Sequence, residues 1–257
     1  MNDLGILAGE ISDWIREYAD RNSIQKLVVG VSGGIDSAVT STLSAMTGLD
    51  TIVLNMPIHQ DRSQYELSNL HISWLESNWE NVEGRLVDLT ATFDKFNDDM
   101  QGNGISDLAL ANSRARIRMA TLYAIAGSTG GIVVGTGNKV EDFGVGFFTK
   151  YGDGGVDISP IAGLYKSEVY ALGAQLGVLK EIRDAIPTDG LWGDGRTDEE
   201  QMGASYAELE WAMSHADGEL VEGLSERQRE VLEIYERLHT ENSHKMSPIP
   251  VFKMRRV

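Results

Sequence analysis

Apolar positions along the chain alternate between two rhythms. Leu4, Leu7, Ile11, Trp14, Ile15 and Tyr18 fall on one helical face, which predicts an amphipathic first helix packed on a sheet or on a second subunit. Residues 27–31 are then short, β-branched and without polar alternation, the pattern of a strand covered on both faces. A helix is expected from Ser37, a second buried strand over 51–56 ending at Pro57, helical spacing at Leu67, Leu70, Trp74 and Leu75, and a brief third strand over 85–88. Residues 106–126 predict a long helix with Leu108, Ala111, Ala115, Met119, Leu122 and Ala126 as a narrow core stripe. A fourth strand over 131–135 and a helix over 166–176 follow. Thr197 and Glu200 form a capping box, and Ser225 and Gln228 open a last helix that buries Val231, Ile234, Tyr235 and Leu238. This order predicts an α/β fold: a doubly wound, mainly parallel sheet with helices on both faces, in one domain over 1–257.

Composition narrows the function. With no cysteine there is no disulfide, thiolate ligand or thiol nucleophile. No apolar run approaches membrane-spanning length and no basic leader opens the chain, so a soluble cytoplasmic protein with no membrane partner is expected. A formal charge of −17 disfavours tracking a nucleic-acid backbone, which needs a contiguous basic surface. A small anionic ligand stays possible if a few cations are focused in one cleft.

The chemistry begins where the first strand ends. Ser32-Gly33-Gly34 lets the backbone turn tightly beside a ligand, and the helix that follows presents amide groups and the positive end of its dipole, which is an anion site. A Walker-type loop would end in Gly-Lys-Ser/Thr, whereas here Gly34-Ile35-Asp36-Ser37 puts a carboxylate in the lysine's place. Beside phosphates that carboxylate makes sense chiefly with Mg²⁺ between them; the plainer alternative is that Asp36 merely caps the helix. On the long helix, Arg114 and Arg118 share one flank while Arg116 lies about 200° round from Arg114. Such arginines form either a solvated face or part of a cleft. A second turn of small and polar residues, 136–141, sits where a parallel sheet opens at its carboxyl edge. The Gly-rich stretch from 141 to 160 reads as a functional loop rather than disorder, because Phe147, Phe148 and Tyr151 interleave with its glycines.

The string Ser32 to Ser37 resembles the pyrophosphate loop of the N-type ATP pyrophosphatases, which cleave ATP to AMP and pyrophosphate. Taken with Asn112-Ser-Arg-Ala-Arg116, Gly135-Thr136, Glu141, the block from Phe148 to Gly155, Asp157, Lys166, Pro187-Thr188 and His244-Lys245, the chain resembles the NAD synthetase family along nearly its whole length. The resemblance is to the form that uses free ammonia, since the glutamine-using form adds an amidohydrolase domain with a nucleophilic cysteine. It implies an adenine nucleotide alpha hydrolase-like fold, a homodimer, and ATP, deamido-NAD⁺ and ammonia as substrates, giving NAD⁺ through an adenylated carboxylate. It also implies site residues. Gly30, Val31, Ser32, Gly33, Gly34, Ile35, Asp36, Ser37, Thr136, Lys166 and Thr188 would bind ATP, and Asp36 and Glu141 would hold Mg²⁺. Arg116, Lys150, Asp157, His244 and Lys245 would bind deamido-NAD⁺. Asp36 and Lys166 would act in catalysis, with Asp157 as the candidate acceptor of the proton from ammonium. Two stretches depart from the family pattern: residues 58–63, which match its adenine-site pattern poorly so that no adenine contact is assigned within them, and the 187–197 loop, which lacks a usual proline and glutamine. A tRNA-modifying transferase on the same loop and a non-catalytic ATP-sensing module are the competing readings. The first is opposed by the acidic charge, the second by the pairing of Asp36 with Glu141.

Overall fold

The computed structural model describes residues 4–188, 190–191, 195–216 and 223–254. Its centre is a parallel sheet in the order β3-β2-β1-β4, with β1 at Lys26–Gly30, β2 at Asp50–Asn55, β3 at Val82–Leu86 and β4 at Gly131–Val133. In register, Val28 lies between Ile52 and Val133, and a bridge from Val134 to Ile158 prolongs the β4 side. Period-two alternation explains why both faces need cover. Leu27, Val29 and Val53 point into one core and Val28, Ile52 and Leu54 into another.

The helices divide accordingly. The first core is closed by α1 (Leu4–Arg21), α2 (Ile35–Met46) and α3 (Arg62–Asn78). The second is closed by α4 (Thr90–Met100) and α5 (Asp107–Thr129). After a single π turn, Val140–Val145, the chain returns to the first side with α6 (Lys166–Gln175) and the short α7 (Lys180–Arg183). The helices α8 (Asp198–Met202), α9 (Tyr206–Ala216) and α10 (Glu226–Met246) then pack on the π turn around Leu209, Val231 and Tyr235, a third cluster beyond the β4 edge. The expected doubly wound α/β architecture is thus present, with every strand pairing parallel.

Several expectations shift in detail. α1 rests on α2 and α6 rather than directly on the strands, with Ser12 Oγ donating to Leu43 O at 3.0 Å. Trp14 stays 42% exposed, because Ala8, Ser12, Ile15 and Ala19 supply the buried stripe. α2 starts at Ile35, two residues before Ser37, so Asp36 sits in its first turn. β3 begins at Val82 because its pairing with residues 51–55 sets the register, not its own apolar content. Leu108 is 58% exposed, since the start of α5 lies outside the core that Ala111 onward enters. α4 and α9 carry too few apolar residues in a recognisable stripe to be read in advance. Of the second Gly-rich loop, Asp189, Trp192, Gly193 and Asp194 lie outside the described residues.

Candidate active site

The chain leaves β1 toward β2 and β3 and later crosses back to β4, so the strand order reverses beside β1, and in open α/β sheets ligands bind at the carboxyl ends of the strands flanking such a point. A cavity of about 500 Å³ opens there. The loop from Gly30 to Ser37 forms one wall, and Thr136, Glu141, Lys166 and Thr188 also line it. Gly33 has φ +91°, and a Cβ there would come within 2.8 Å of Gln64 O, so the loop packs tightly against the start of α3. Ser37 Oγ donates to Gly34 O at 3.0 Å and accepts from Ser32 N at 3.2 Å, which fixes the turn internally. No side chain caps α2 at Gly34, so Asp36 is not a helix cap and its carboxylate is committed elsewhere.

That commitment is an ion-pair cluster assembled from α2, the π turn and α6. Lys166 Nζ lies 2.5 Å from Asp36 Oδ2 and 3.1 Å from Glu141 Oε1, with the lysine side chain only 3% exposed. Asn138 Nδ2 donates to Asp36 Oδ1 at 3.2 Å, and the Tyr206 hydroxyl donates to Glu141 Oε1 at 2.7 Å while its ring lies 4.5 Å from Lys166 Nζ. Burial alone would lower the Lys166 pKa, but Asp36 and Glu141 outweigh it and hold the ammonium well above its ordinary value. Burial pushes Asp36 upward against the pull of Lys166. Burial likewise raises the Tyr206 hydroxyl, followed by the charges of Glu141 and Asp198, so it stays a donor. Among the described residues no group of three or more His, Cys, Asp or Glu side chains is arranged to hold a metal. Two converging carboxylates nonetheless suit Mg²⁺, which keeps waters and takes its remaining ligands from substrate phosphates.

The other lobe of the cavity lies toward α10. Lys245 lines it and donates to Gly146 O at 2.5 Å and Phe148 O at 2.8 Å, with burial lowering its pKa. Arg116, Lys150, Asp157 and His244 are not among the lining residues. Arg116 Nε donates to Lys150 O at 3.2 Å, and Lys150 Nζ to His244 O at 3.1 Å. Asp157 Oδ2 accepts from Val133 N at 2.7 Å, at the end of β4, and its neighbour Tyr123 is pushed up to about 12 by burial and by the Asp157 charge.

Three carboxyl groups that the sequence did not single out line the cavity, Asp142, Asp153 and Asp198. Asp153 lines it, with solvent-accessible surface and its Oδ1 accepting from Thr149 N at 3.0 Å, and desolvation pushes its pKa up to about 6. Asp142 is raised to about 8 by burial and then by Glu141, Asp153 and Asp36. A hint for Asp153 was present, since it lies inside the aromatic and Gly-rich block; for Tyr206, more than sixty residues from Glu141 along the chain, there was none. Arg114 and Arg118 are not a solvated face: Arg114 Nη1 donates to Leu191 O and Arg118 Nε to Met56 O, each at 2.9 Å.

Comparison with known proteins agrees with this geometry. The NAD synthase family profile matches residues 7–249. An NH3-dependent NAD⁺ synthetase of Alkaliphilus metalliredigens is 39% identical over 249 residues, covering 92% of this chain and 94% of the relative. Among solved structures, an NMN synthetase from Francisella tularensis superposes with a TM-score of 0.86 at 32% identity, covering 99% of this chain and 100% of that one. An NH3-dependent NAD synthetase from Campylobacter jejuni superposes with a TM-score of 0.79 at 26% identity, covering 98% and 100%.

Proposed function

The chain belongs to the NAD synthase family, and from that premise we propose that it amidates deamido-NAD⁺ with ammonia, converting ATP to AMP and pyrophosphate through an adenylated nicotinate carboxylate. The observation that carries the reading is the Asp36–Lys166–Glu141 cluster at the mouth of an anion-binding loop. Adenylation builds negative charge on the pyrophosphate leaving group. Preorganised loop amides meet that charge, and the Lys166 ammonium, held beside them by Asp36 and Glu141, would add to it. Asp36 and Glu141 would hold Mg²⁺, which when bound neutralises phosphate charge and favours departure of pyrophosphate. Asn138 and Tyr206 orient the two carboxylates.

Ammonium must lose a proton before it attacks the adenylate. Asp153 is better placed for this than Asp157, because it faces the cavity and its raised pKa makes it a stronger base than an ordinary aspartate. Lys245, Arg116, Lys150 and His244 lie together on the α10 side, where cations would receive the acceptor's phosphates. The segment 143–157 would close over the adenylate and exclude water, which explains aromatic side chains among its glycines. A homodimer, a cytoplasmic location and a single domain complete the proposal. No described helix is long and apolar enough to cross a membrane.

The Francisella neighbour favours a second reading, in which the accepted carboxylate is carried by the mononucleotide rather than the dinucleotide. Pyrophosphate release with ammonium, ATP and either deamido-NAD⁺ or nicotinic acid mononucleotide separates the two. A higher kcat/KM for deamido-NAD⁺ is expected. Preference for the mononucleotide would move the chain to the second reading, and release with neither would end both.

A further inference from the structure

Lys166 is the first residue of α6, so the placement of that helix end sets where its ammonium can stand. The first turn of a helix leaves N–H groups without partners, and a Ser, Thr, Asp or Asn at the cap usually meets one of them. Here the cap residue is Tyr165, which makes no side-chain cap bond; its ring packs against the third core cluster, with Lys139 Nζ 4.1 Å from the ring centroid. The missing acceptor comes from another helix. Glu210 of α9 accepts from Ser167 N on Oε1 at 2.9 Å and from the Ser167 hydroxyl on Oε2 at 2.7 Å. Its charge also suits the positive end of the α6 dipole, which a lysine at the first position does not. Four residues before Glu210, on the same face of α9, Tyr206 donates to Glu141 Oε1 at 2.7 Å. Toward its other end α6 lies close on α2: a Cβ on Gly173 would come within 2.7 Å of Ile35 Cδ1 and 3.2 Å of Val39 Cγ2. α6 is thus tied to α2 near its end and to α9 at its start.

We infer that Glu210 is a positioning residue for Lys166: by holding the first turn of α6 it keeps the lysine aimed at the phosphates, and through Glu210 and Tyr206 α9 sets Lys166 and Glu141 in register with each other. The inference rests on the ATP-using reading above. In the structure the tip of Lys166 is held by Asp36 and Glu141. Once phosphates and Mg²⁺ claim those carboxylates, the ammonium turns to the leaving group and that hold on its tip is gone. A flexible four-carbon stem then keeps its aim only if the backbone beneath it is fixed, and a displacement of about 1 Å is enough to cost on the order of a hundredfold in rate. Neither Tyr206 nor Glu210 lines the cavity, so both act through the residues they hold.

Two measurements on the whole protein test this: kcat for pyrophosphate release, and calorimetric titration with inorganic pyrophosphate and Mg²⁺. Glu210→Ala should lower kcat on the order of tenfold to a hundredfold and weaken pyrophosphate binding, with the KM for the acceptor within a few-fold of wild type. Loss of the cap should also lower the thermal midpoint by about 2–4 °C. Glu210→Gln keeps an oxygen for Ser167 N and offers an N–H to the Ser167 hydroxyl, so it should recover most of both losses. Ser167→Ala, which removes one of the two contacts, should give a smaller loss in the same quantities, and it carries the test if Glu210→Ala does not fold. Added to Lys166→Met, Glu210→Ala should cost no further pyrophosphate affinity, because its effect runs through the lysine. A lower midpoint in Glu210→Ala with wild-type kcat and pyrophosphate affinity would make Glu210 a helix cap and nothing more, and additive losses in the double variant would equally overturn the inference. Because pyrophosphate binding is read without turnover, a wild-type protein that forms no NAD⁺ would end the enzymatic reading while the affinities still judged Glu210.

Discussion

Lys166 sits almost fully enclosed between two carboxylates, so removing either partner type has a distinct cost. Asp36→Asn keeps an acceptor for Lys166 and should leave the thermal midpoint nearly unchanged, while kcat for pyrophosphate release falls by about two orders of magnitude or more, because one of the two carboxylates that would hold Mg²⁺ against the phosphates is lost. Lys166→Met leaves Asp36 and Glu141 uncompensated in an enclosed site and should lower both activity and thermal midpoint. Wild-type turnover by the Asp36 variant would remove the residue from the mechanism. Asp153 offers a different signature. With its pKa near 6, the basic form fills as pH rises through that value, so kcat at fixed total ammonium should climb across pH 5–7. Asp153→Asn should lower kcat and abolish that limb; the same limb in wild type and variant would assign the base elsewhere.

One face of α10 holds the segment after the π turn by its carbonyls. His239 Nδ1 pairs with Gly144 O at 2.7 Å, Asn242 Nδ2 donates to Val145 O at 2.9 Å, and Lys245 donates to Gly146 O and Phe148 O. Since a carbonyl only accepts, His239 carries its proton on Nδ1. The π turn ends at left-handed Gly146, and side chains spaced by three along α10 meet the carbonyls that helical bonding leaves over. This makes α10 the hinge plate of the proposed lid. Lys245→Met should raise hydrogen exchange over 144–150 and weaken acceptor binding, with the KM for ATP little changed. In the wild type, exchange across 143–157 should slow when ATP and deamido-NAD⁺ are both bound; equal exchange in the two states would refute the lid.

At the scale of the whole molecule the charge and the residue inventory bear on partners. The −17 formal charge makes an anionic substrate depend on the few cations gathered around the cavity, Lys166, Lys245, Arg114 and Arg118 among them. With no cysteine, this chain has no thiol to form the thioester through which glutaminases release ammonia. Ammonium should therefore support synthesis and glutamine should not; NAD⁺ formation by the purified chain from ammonia-free glutamine would sink the idea. The homodimer is checked by light scattering at working concentration, where a mass near twice 28.2 kDa is expected.

Local chemistry was enough to read the parts that bonding within a short stretch decides. The β-branched run of β1, the glycines of the turn after it, the capping boxes at Thr197 and Ser225 and the apolar stripe of α5 each depend on neighbours a few residues away. The parallel α/β architecture followed from their order. What depends on distant partners had to come from the tertiary structure. The register of β3 is set by β2, and the cluster of Asp36, Glu141, Lys166 and Tyr206 draws on four elements spread over 170 residues of chain. The same holds for which carboxyl groups face the cavity, Asp153 among them and Asp157 not. A residue's type fixes which bonds it can make, whereas enclosure, charge neighbours and the direction of a hydrogen bond are properties of the space around it, and that space exists only once the chain has packed.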